Sequence, residues 1–375
     1  MMTIDWMARA VPQTAGLYPY VPGKPVETLL REKGLERALK LASNENPYGP
    51  SPKAIAAMSK AAAEVHRYPD GDANALKERL AEDHSVSRDQ ILLGNGSNEV
   101  LGLFIRTFAG PGDEVVYAQR GFIVYALATQ AAGATCVVVP EADGLSHDLD
   151  AMLEAVNGKT KVVCIANPNN PTGTLHRNDV IQGFLDRLPR DVVVIVDEAY
   201  YEFVADELGD SVHDLNHPGL VISRTFSKAY GLAGCRIGYA IADSQIVALA
   251  NRYREPFNLN MLAQAAALAA LDDRDWVMAR VRDSNLEREK LEGALDDMGL
   301  LGGRSFGNFV LMRHNQSSEL LHRLEDHGII PRPLAPYGMA DYLRISVGNA
   351  EENAEFLTVL KSIVASLKNQ ESPAS

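Results

Sequence analysis

Short runs of Val, Ile and Leu punctuate the chain from about Leu41 to Asn260. They are Ile91–Leu93, Glu114–Tyr117, Cys136–Val139, Val162–Ala166, Val192–Val196 and Leu220–Ser223. The runs lack polar alternation. Continuous apolarity requires burial on both faces, as in a parallel sheet covered by helices. Helix-forming stretches, among them Asn98–Ala109 and Arg177–Arg187, lie between the runs. The alternation predicts βαβ units and an α/β domain.

The flanks differ. Pro12, Pro19, Pro22, Gly23 and Pro25 break the first forty residues, leaving only Val26 to Gly34 for a helix. After Asn260 a long helical region runs to Met298, with Leu291, Leu295 and Met298 at i, i+4, i+7 spacing. Strand Asn308–Arg313, helix Ser318–His327, strand Tyr342–Val347 and helix Glu351–Leu367 follow, and Lys368 to Ser375 is a polar, frayed end. The predicted organisation is an arm over 1–40 that is part of the small domain and of a dimer contact, a large domain over 41–260, and a linking helix with a small α+β domain over 261–375.

The 375 residues are 46% hydrophobic and 23% charged, an ordinary globular composition. A formal net charge of −13 disfavours nucleic acid and anionic membrane as partners. It leaves room for an anionic small molecule, because a few arginines can dominate one pocket. Met1 to Ala15 carries Asp5 and no long apolar run, unlike a signal peptide. No window approaches the roughly 18 apolar residues of a membrane span. Cys136, Cys164 and Cys235 are scattered within apolar stretches, as buried thiols in a reducing compartment would be. The expectation is a cytoplasmic protein.

In an open parallel sheet, ligands bind outside the carboxyl ends of the strands, so the residues after each run carry the candidate chemistry. Ile91–Leu93 is followed by Gly94-Asn95-Gly96-Ser97-Asn98-Glu99, and Val162–Ala166 by Asn167-Pro168-Asn169-Asn170-Pro171-Thr172-Gly173. Val192–Val196 is followed by Asp197-Glu198-Ala199-Tyr200, and Leu220–Ser223 by Arg224-Thr225-Phe226-Ser227-Lys228. Each has a plain structural explanation when taken singly. Glycines and Asn170 make turns, Asp197 can cap a helix, and lone cations such as Lys228 and Arg236 are ordinarily solvated. The glycine segment has neither the GK[ST] of a nucleotide loop nor the third glycine of GxGxxG. It remains a glycine turn entering a helix, whose free N–H groups attract an anion. His213-Asp214-Leu215-Asn216-His217 looks like a zinc helix only superficially, since Pro218-Gly219 ends it and no third ligand is evident; no metal is expected.

Together the set matches one chemistry. Helix N–H groups, hydroxyls and a guanidinium suit a phosphate; a carboxylate suits a pyridinium nitrogen. Amide and phenol donors suit a phenolate oxygen, and a lysine suits an aldehyde. Pyridoxal 5′-phosphate carries all four groups. A nicotinamide enzyme would need the missing glycine and would leave Lys228 unexplained.

Further segments strengthen this reading: Pro19-Tyr20-Val21-Pro22-Gly23-Lys24-Pro25, Leu41-Ala42-Ser43-Asn44-Glu45-Asn46-Pro47, Arg67-Tyr68-Pro69-Asp70 and Leu343-Arg344-Ile345-Ser346-Val347-Gly348. With them the chain resembles the fold-type I, class I/II aminotransferases over essentially its whole length. The resemblance implies an α/β, aspartate-aminotransferase-like fold. Its large domain would carry a mostly parallel seven-stranded sheet flanked by helices, beside a smaller α+β domain.

The resemblance also implies roles. Lys228 would condense with the cofactor aldehyde and later shuttle a proton. Asp197 would pair with the pyridine nitrogen, and Tyr200 and Asn170 would bind the ring oxygen. Backbone N–H groups of Ser97 and Asn98, with Thr225, Ser227 and Arg236, would hold the phosphate. Phe122 would stack on the ring. Tyr68 would reach the cofactor phosphate of a neighbouring subunit, making the enzyme a homodimer. Tyr20, Asn44, Arg332 and Arg344 would bind substrate, with Arg344 in a strand and Arg332 in a loop between Pro331 and Pro333.

Within the family the resemblance is strongest to members that pass the amino group of L-histidinol phosphate to 2-oxoglutarate, in histidine biosynthesis. Aromatic amino acid aminotransferases come next and threonine-phosphate decarboxylase third. One pocket must then accept a phosphate ester and, in turn, a carboxylate, and an arginine fork bonds either. Before Phe122 the chain reads Gln119-Arg120-Gly121, where many relatives carry Pro-Pro-Thr or His-Ala; the stacking aromatic is kept.

Overall fold

The computed structural model describes residues 4–17 and 23–371. In chain order the strands are β1 (Leu39–Leu41), β2 (Ile91–Gly94), β3 (Glu114–Ala118), β4 (Thr135–Val139), β5 (Thr160–Ala166), β6 (Val193–Asp197), β7 (Leu220–Thr225), β8 (Gly238–Ala242), β9 (Leu301–Gly303), β10 (Phe309–Arg313), β11 (Ile329–Pro333) and β12 (Tyr342–Ser346). A seven-stranded sheet has the order β2-β8-β7-β6-β5-β3-β4, in which β8 is antiparallel to both neighbours and the remaining pairs are parallel.

Its central strands explain the unbroken apolar runs. Val162, Cys164, Val193 and Ile195 face the helix Ser97–Phe108, packing with Val100, Leu101 and Phe104. The intervening Val163, Ile165, Val194 and Val196 face the opposite layer, against Ile181, Phe184 and Leu185 of the helix Asn178–Leu185. With side chains alternating between two covered faces, neither phase can be polar.

Strand β8 and the long helical region both differ from the sequence expectation. Strand β8 was not anticipated, because Gly238-Tyr239-Ala240-Ile241-Ala242 is poor in β-branched residues. The long helical region is two helices, Met261–Leu271 and Arg274–Asp297. The break falls at Asp272 and Asp273, whose carboxylates are bound from outside by Arg79 and Lys53. Ala263, Ala266, Ala267 and Ala270 are buried within the layer that covers the large sheet, their small side chains permitting close helix packing.

A five-stranded sheet has the order β1-β11-β12-β10-β9. Val310, Met312, Leu343 and Ile345 bury one face of it against Leu291, Leu295, Phe356 and Leu360. Strand β11 corrects the placing of Arg332. That residue lies in a strand, not a loop, and is registered opposite Arg344 of β12. Prolines remove amide donors from a strand without abolishing its extended backbone, so Pro331-Arg332-Pro333 can sit in a sheet. Among the described residues, no helix is long and apolar enough to cross a membrane.

Candidate active site

One edge of the large sheet gathers the polar strand ends. Ala166 of β5 is registered with Asp197 of β6, and Asp197 with Ser223 of β7. Thr225 pairs with Gly238, where β8 begins, and Gly238 with Gly94 at the end of β2. The segments that follow these ends meet the small sheet around a cavity of about 190 Å³. Asn44, Ser97, Asn98, Phe122, Asn170, Asp197, Tyr200, Thr225, Ser227, Lys228, Arg236, Arg332 and Arg344 all line it. Tyr68 does not; its ring is 82% exposed and stacks on Phe257 at 4.7 Å. Tyr20 lies outside the described residues.

At one end of the cavity, two positive features converge. Gly96 has φ +83°, and a Cβ there would lie 2.4 Å from a guanidinium nitrogen of Arg236. A Cβ on Gly238 would lie 2.5 Å from the Ser97 amide nitrogen. Both glycines are required for close approach: they let Arg236 and the start of β8 crowd the first turn of the helix Ser97–Phe108. Arg236 donates to the Ser227 hydroxyl at 3.3 Å, and the Ser227 amide donates to the Thr225 hydroxyl at 3.1 Å. Helix N–H groups, hydroxyls and a guanidinium thus face the same small volume, which suits a phosphate.

Asp197, the last residue of β6, is 4% exposed. Tyr125 donates to its Oδ2 at 2.9 Å, while Oδ1 is buried and has no hydrogen-bond partner among the described residues. Burial raises the carboxyl to about 7 against the opposing bond from Tyr125. Beneath the Asp197–Tyr200 segment, Glu198 pairs with Arg224 of β7 at 2.9 Å, fully buried, and the Arg224 guanidinium lies 3.4 Å over the Tyr201 ring. That pair pins the segment to the neighbouring strand.

The Lys228 amine donates to the Ser43 carbonyl at 3.1 Å. Burial, then the nearby Arg344 and Arg236, depress it from 10.5 to about 7. Tyr200 accepts from Asn44 at 2.8 Å and is pushed up to about 12, chiefly by burial. At the opposite wall Arg344, 6% exposed, donates to the Ala42 carbonyl at 2.8 Å and to Asn170 Oδ1. With Oδ1 occupied, the NH2 group is what Asn170, which lines the cavity, has left to offer as a donor. Arg332 reaches beside Gly23.

The sequence reading missed Tyr125. It follows Phe122 at i+3, which puts both on one face of the helix start, and that spacing is the signal that could have found it. It also missed Tyr337, from the turn after β11, and the backbone role of Ala42 and Ser43.

Comparison with known proteins shows the family. The family description "Aminotransferase class I and II" matches residues 36–360. Histidinol-phosphate aminotransferase 2 of Pseudomonas aeruginosa is 46% identical over 366 residues, covering 96% of this chain and 99% of that protein. The crystal structure of histidinol-phosphate aminotransferase from Sinorhizobium meliloti, in complex with pyridoxal-5′-phosphate, superposes with TM-score 0.88 at 30% identity, covering 96% of this chain and 98% of that one. Aspartate aminotransferase from Thermotoga maritima shares the fold, with TM-score 0.79 at 22% identity over 90% of this chain and 94% of that one. The chain belongs to the class I and II aminotransferases, on the aspartate-aminotransferase-like fold.

Proposed function

We propose that this enzyme uses pyridoxal 5′-phosphate to transfer the amino group of L-histidinol phosphate to 2-oxoglutarate, giving imidazole acetol phosphate and L-glutamate. The observation that carries the substrate is the pair of arginines, Arg332 and Arg344, on adjacent strands in the cavity that holds Lys228. The full-length similarity to relatives named for that reaction supports it.

The residues present fit the cofactor. The crowded cradle of Gly96, Ser97, Gly238 and Arg236 suits its phosphate, and the orphaned Asp197 Oδ1 suits a protonated ring nitrogen. Bound there, the cofactor supplies an electron-withdrawing ring that lets a substrate C–H bond release its proton.

This chain's residues do the rest. Asp197 holds a proton on the ring nitrogen, with Tyr125 fixing the carboxylate. Tyr200 and Asn170 would donate to the ring oxygen, and Phe122 would stack on the ring. Lys228, whose depressed amine is already partly neutral near pH 7, would take a proton at Nζ from substrate carbon and return it. Arg344 and Arg332 hold the phosphate of one substrate and the carboxylate of the next.

A homodimer belongs to this reading. The exposed Ile55, Val65, Tyr68, Tyr253 and Phe257 support a second copy as partner, with Tyr68 reaching its cofactor phosphate. So does a cytoplasmic setting, supported by three free cysteines. We also retain 41–260 as the cofactor-holding unit and 261–375 as the linking and small unit. The strand β1 and Leu29, packed on Ile330, join the small sheet to the end of the arm. Steady-state turnover with 2-oxoglutarate as acceptor tests the substrate. Histidinol phosphate should far exceed phenylalanine as donor; the reverse preference would make the enzyme an aromatic aminotransferase.

A further inference from the structure

Three consecutive residues after β1 each hold a different group of the cavity. The Ala42 carbonyl accepts from Arg344, the Ser43 carbonyl accepts from Lys228, and the Asn44 amide donates to the Tyr200 hydroxyl. Asn44 is 1% exposed and has φ +53°, a left-handed conformation that asparagine adopts more readily than most residues. Its backbone N–H donates to Ser346 Oγ at 2.7 Å, the same hydroxyl donates to its Oδ1 at 3.3 Å, and Asn308 donates to its carbonyl at 3.0 Å. With Oδ1 held by Ser346, the amide orientation is fixed and Nδ2 must face the phenol.

A hydroxyl oxygen that accepts one hydrogen bond turns its own proton away from that donor. We propose that Asn44 is a positioning residue: by donating to the Tyr200 oxygen, it aims the Tyr200 O–H proton into the cavity, at the cofactor's ring oxygen. This deepens the proposed function and rests on it. Ser346 lies two residues beyond Arg344 on β12, so the same contact ties the phenol's direction to the strand that carries the anion-binding arginine. The charged and titratable groups facing Tyr200 are Arg344 and Tyr337 on the small-sheet side, and Asp197 and Lys228 on the other. The hydrogen bond to the phenol oxygen comes from Asn44.

The readout is the pH midpoint of the visible colour change of the cofactor-loaded enzyme. A donor at the ring oxygen stabilises negative charge there and lowers that midpoint. Asn44→Gly, which keeps the left-handed backbone, should raise it by about one unit. In a Tyr200→Phe background the same substitution should add no further shift, since its effect passes through the phenol. Should the Gly variant not fold, isosteric Asn44→Asp decides: its carboxylate draws the phenol proton to itself, so the rise must be larger with Tyr200 than with Phe at 200. An unchanged midpoint, or equal shifts in both backgrounds, overturns the proposal. Borohydride reduction of the same samples separates the two levels. No cofactor on Lys228 defeats the functional reading and this proposal with it; cofactor on Lys228 with an unshifted midpoint defeats this proposal alone.

Discussion

Arg332 of β11 and Arg344 of β12 are registered directly opposite each other across an antiparallel pair. Cross-strand partners project from the same face of a sheet, and like charges in that position repel. A fold that places two guanidiniums there, in the wall of a cavity, gains stability when an anion sits between or before them. Arg344 is fixed by Ala42, Asn170 and the Phe309 ring 5.4 Å away, whereas Arg332 is half-buried at the side of Gly23.

The two arginines should therefore divide the work. Arg332→Ala should lower kcat/KM for histidinol phosphate by about 2–4 kcal/mol, because a doubly charged phosphate gains most from a second charge-assisted pair. Phenylalanine turnover should suffer much less. Arg344→Ala should damage both half-reactions, including that with 2-oxoglutarate. Equal losses for the two donors in Arg332→Ala would refute the division.

Asp197→Asn should abolish most activity while stabilising the cofactor-free protein. The native carboxyl titrates near 7, above its ordinary 3.8. A raised carboxyl favours folding below its unfolded value, and that contribution is lost as pH rises from about 4 through 7. The Asn side chain escapes this loss, so its advantage in denaturant unfolding should grow across that window and level off above it, at no more than about 4 kcal/mol. An advantage that is constant with pH would contradict the assignment.

Lys228 should be the site of cofactor attachment. Its amine is depressed to about 7, so it is protonated below that pH and nucleophilic above it. The rate of colour development on adding pyridoxal 5′-phosphate to cofactor-free enzyme should climb from pH 6 to pH 8 and then flatten. Peptide mapping after borohydride should find the adduct on Lys228; an adduct elsewhere counts against the site.

Tyr68, exposed on the single chain, should act in trans. Mixing Tyr68→Phe subunits with Lys228→Ala subunits should regenerate hybrid sites with both residues intact. Activity equal to the sum of the parents, despite demonstrated subunit exchange, would remove the cross-subunit role.

The large sheet was legible because its central strands are buried on both faces and therefore uniformly apolar, as Val162–Ala166 and Val193–Asp197 show. Asp197 and Lys228, which the structure brings to one cavity, were legible because each ends or closely follows such a strand. Strand β8 was not, since Gly238, demanded by close approach to Ser97, and two alanines dilute the β-branched signature that marks the other runs. Arg332 was misplaced because prolines signal a loop locally, while strand membership is decided by pairing with Arg344 of β12 and, far away in sequence, with Leu41 of β1. Asn44 was read as a substrate ligand from its motif; its bonds to Tyr200 and Ser346 depend on both sheets and have no local trace.

A single-turnover half-reaction tests the central claim most directly. Cofactor-loaded enzyme is mixed with L-histidinol phosphate in the absence of 2-oxoglutarate, and colour and product are followed together. The account predicts loss of the yellow colour with release of about one imidazole acetol phosphate per site, then return of colour and formation of glutamate when 2-oxoglutarate is added. Unchanged colour and no keto product with histidinol phosphate, while phenylalanine bleaches the same enzyme, would contradict it.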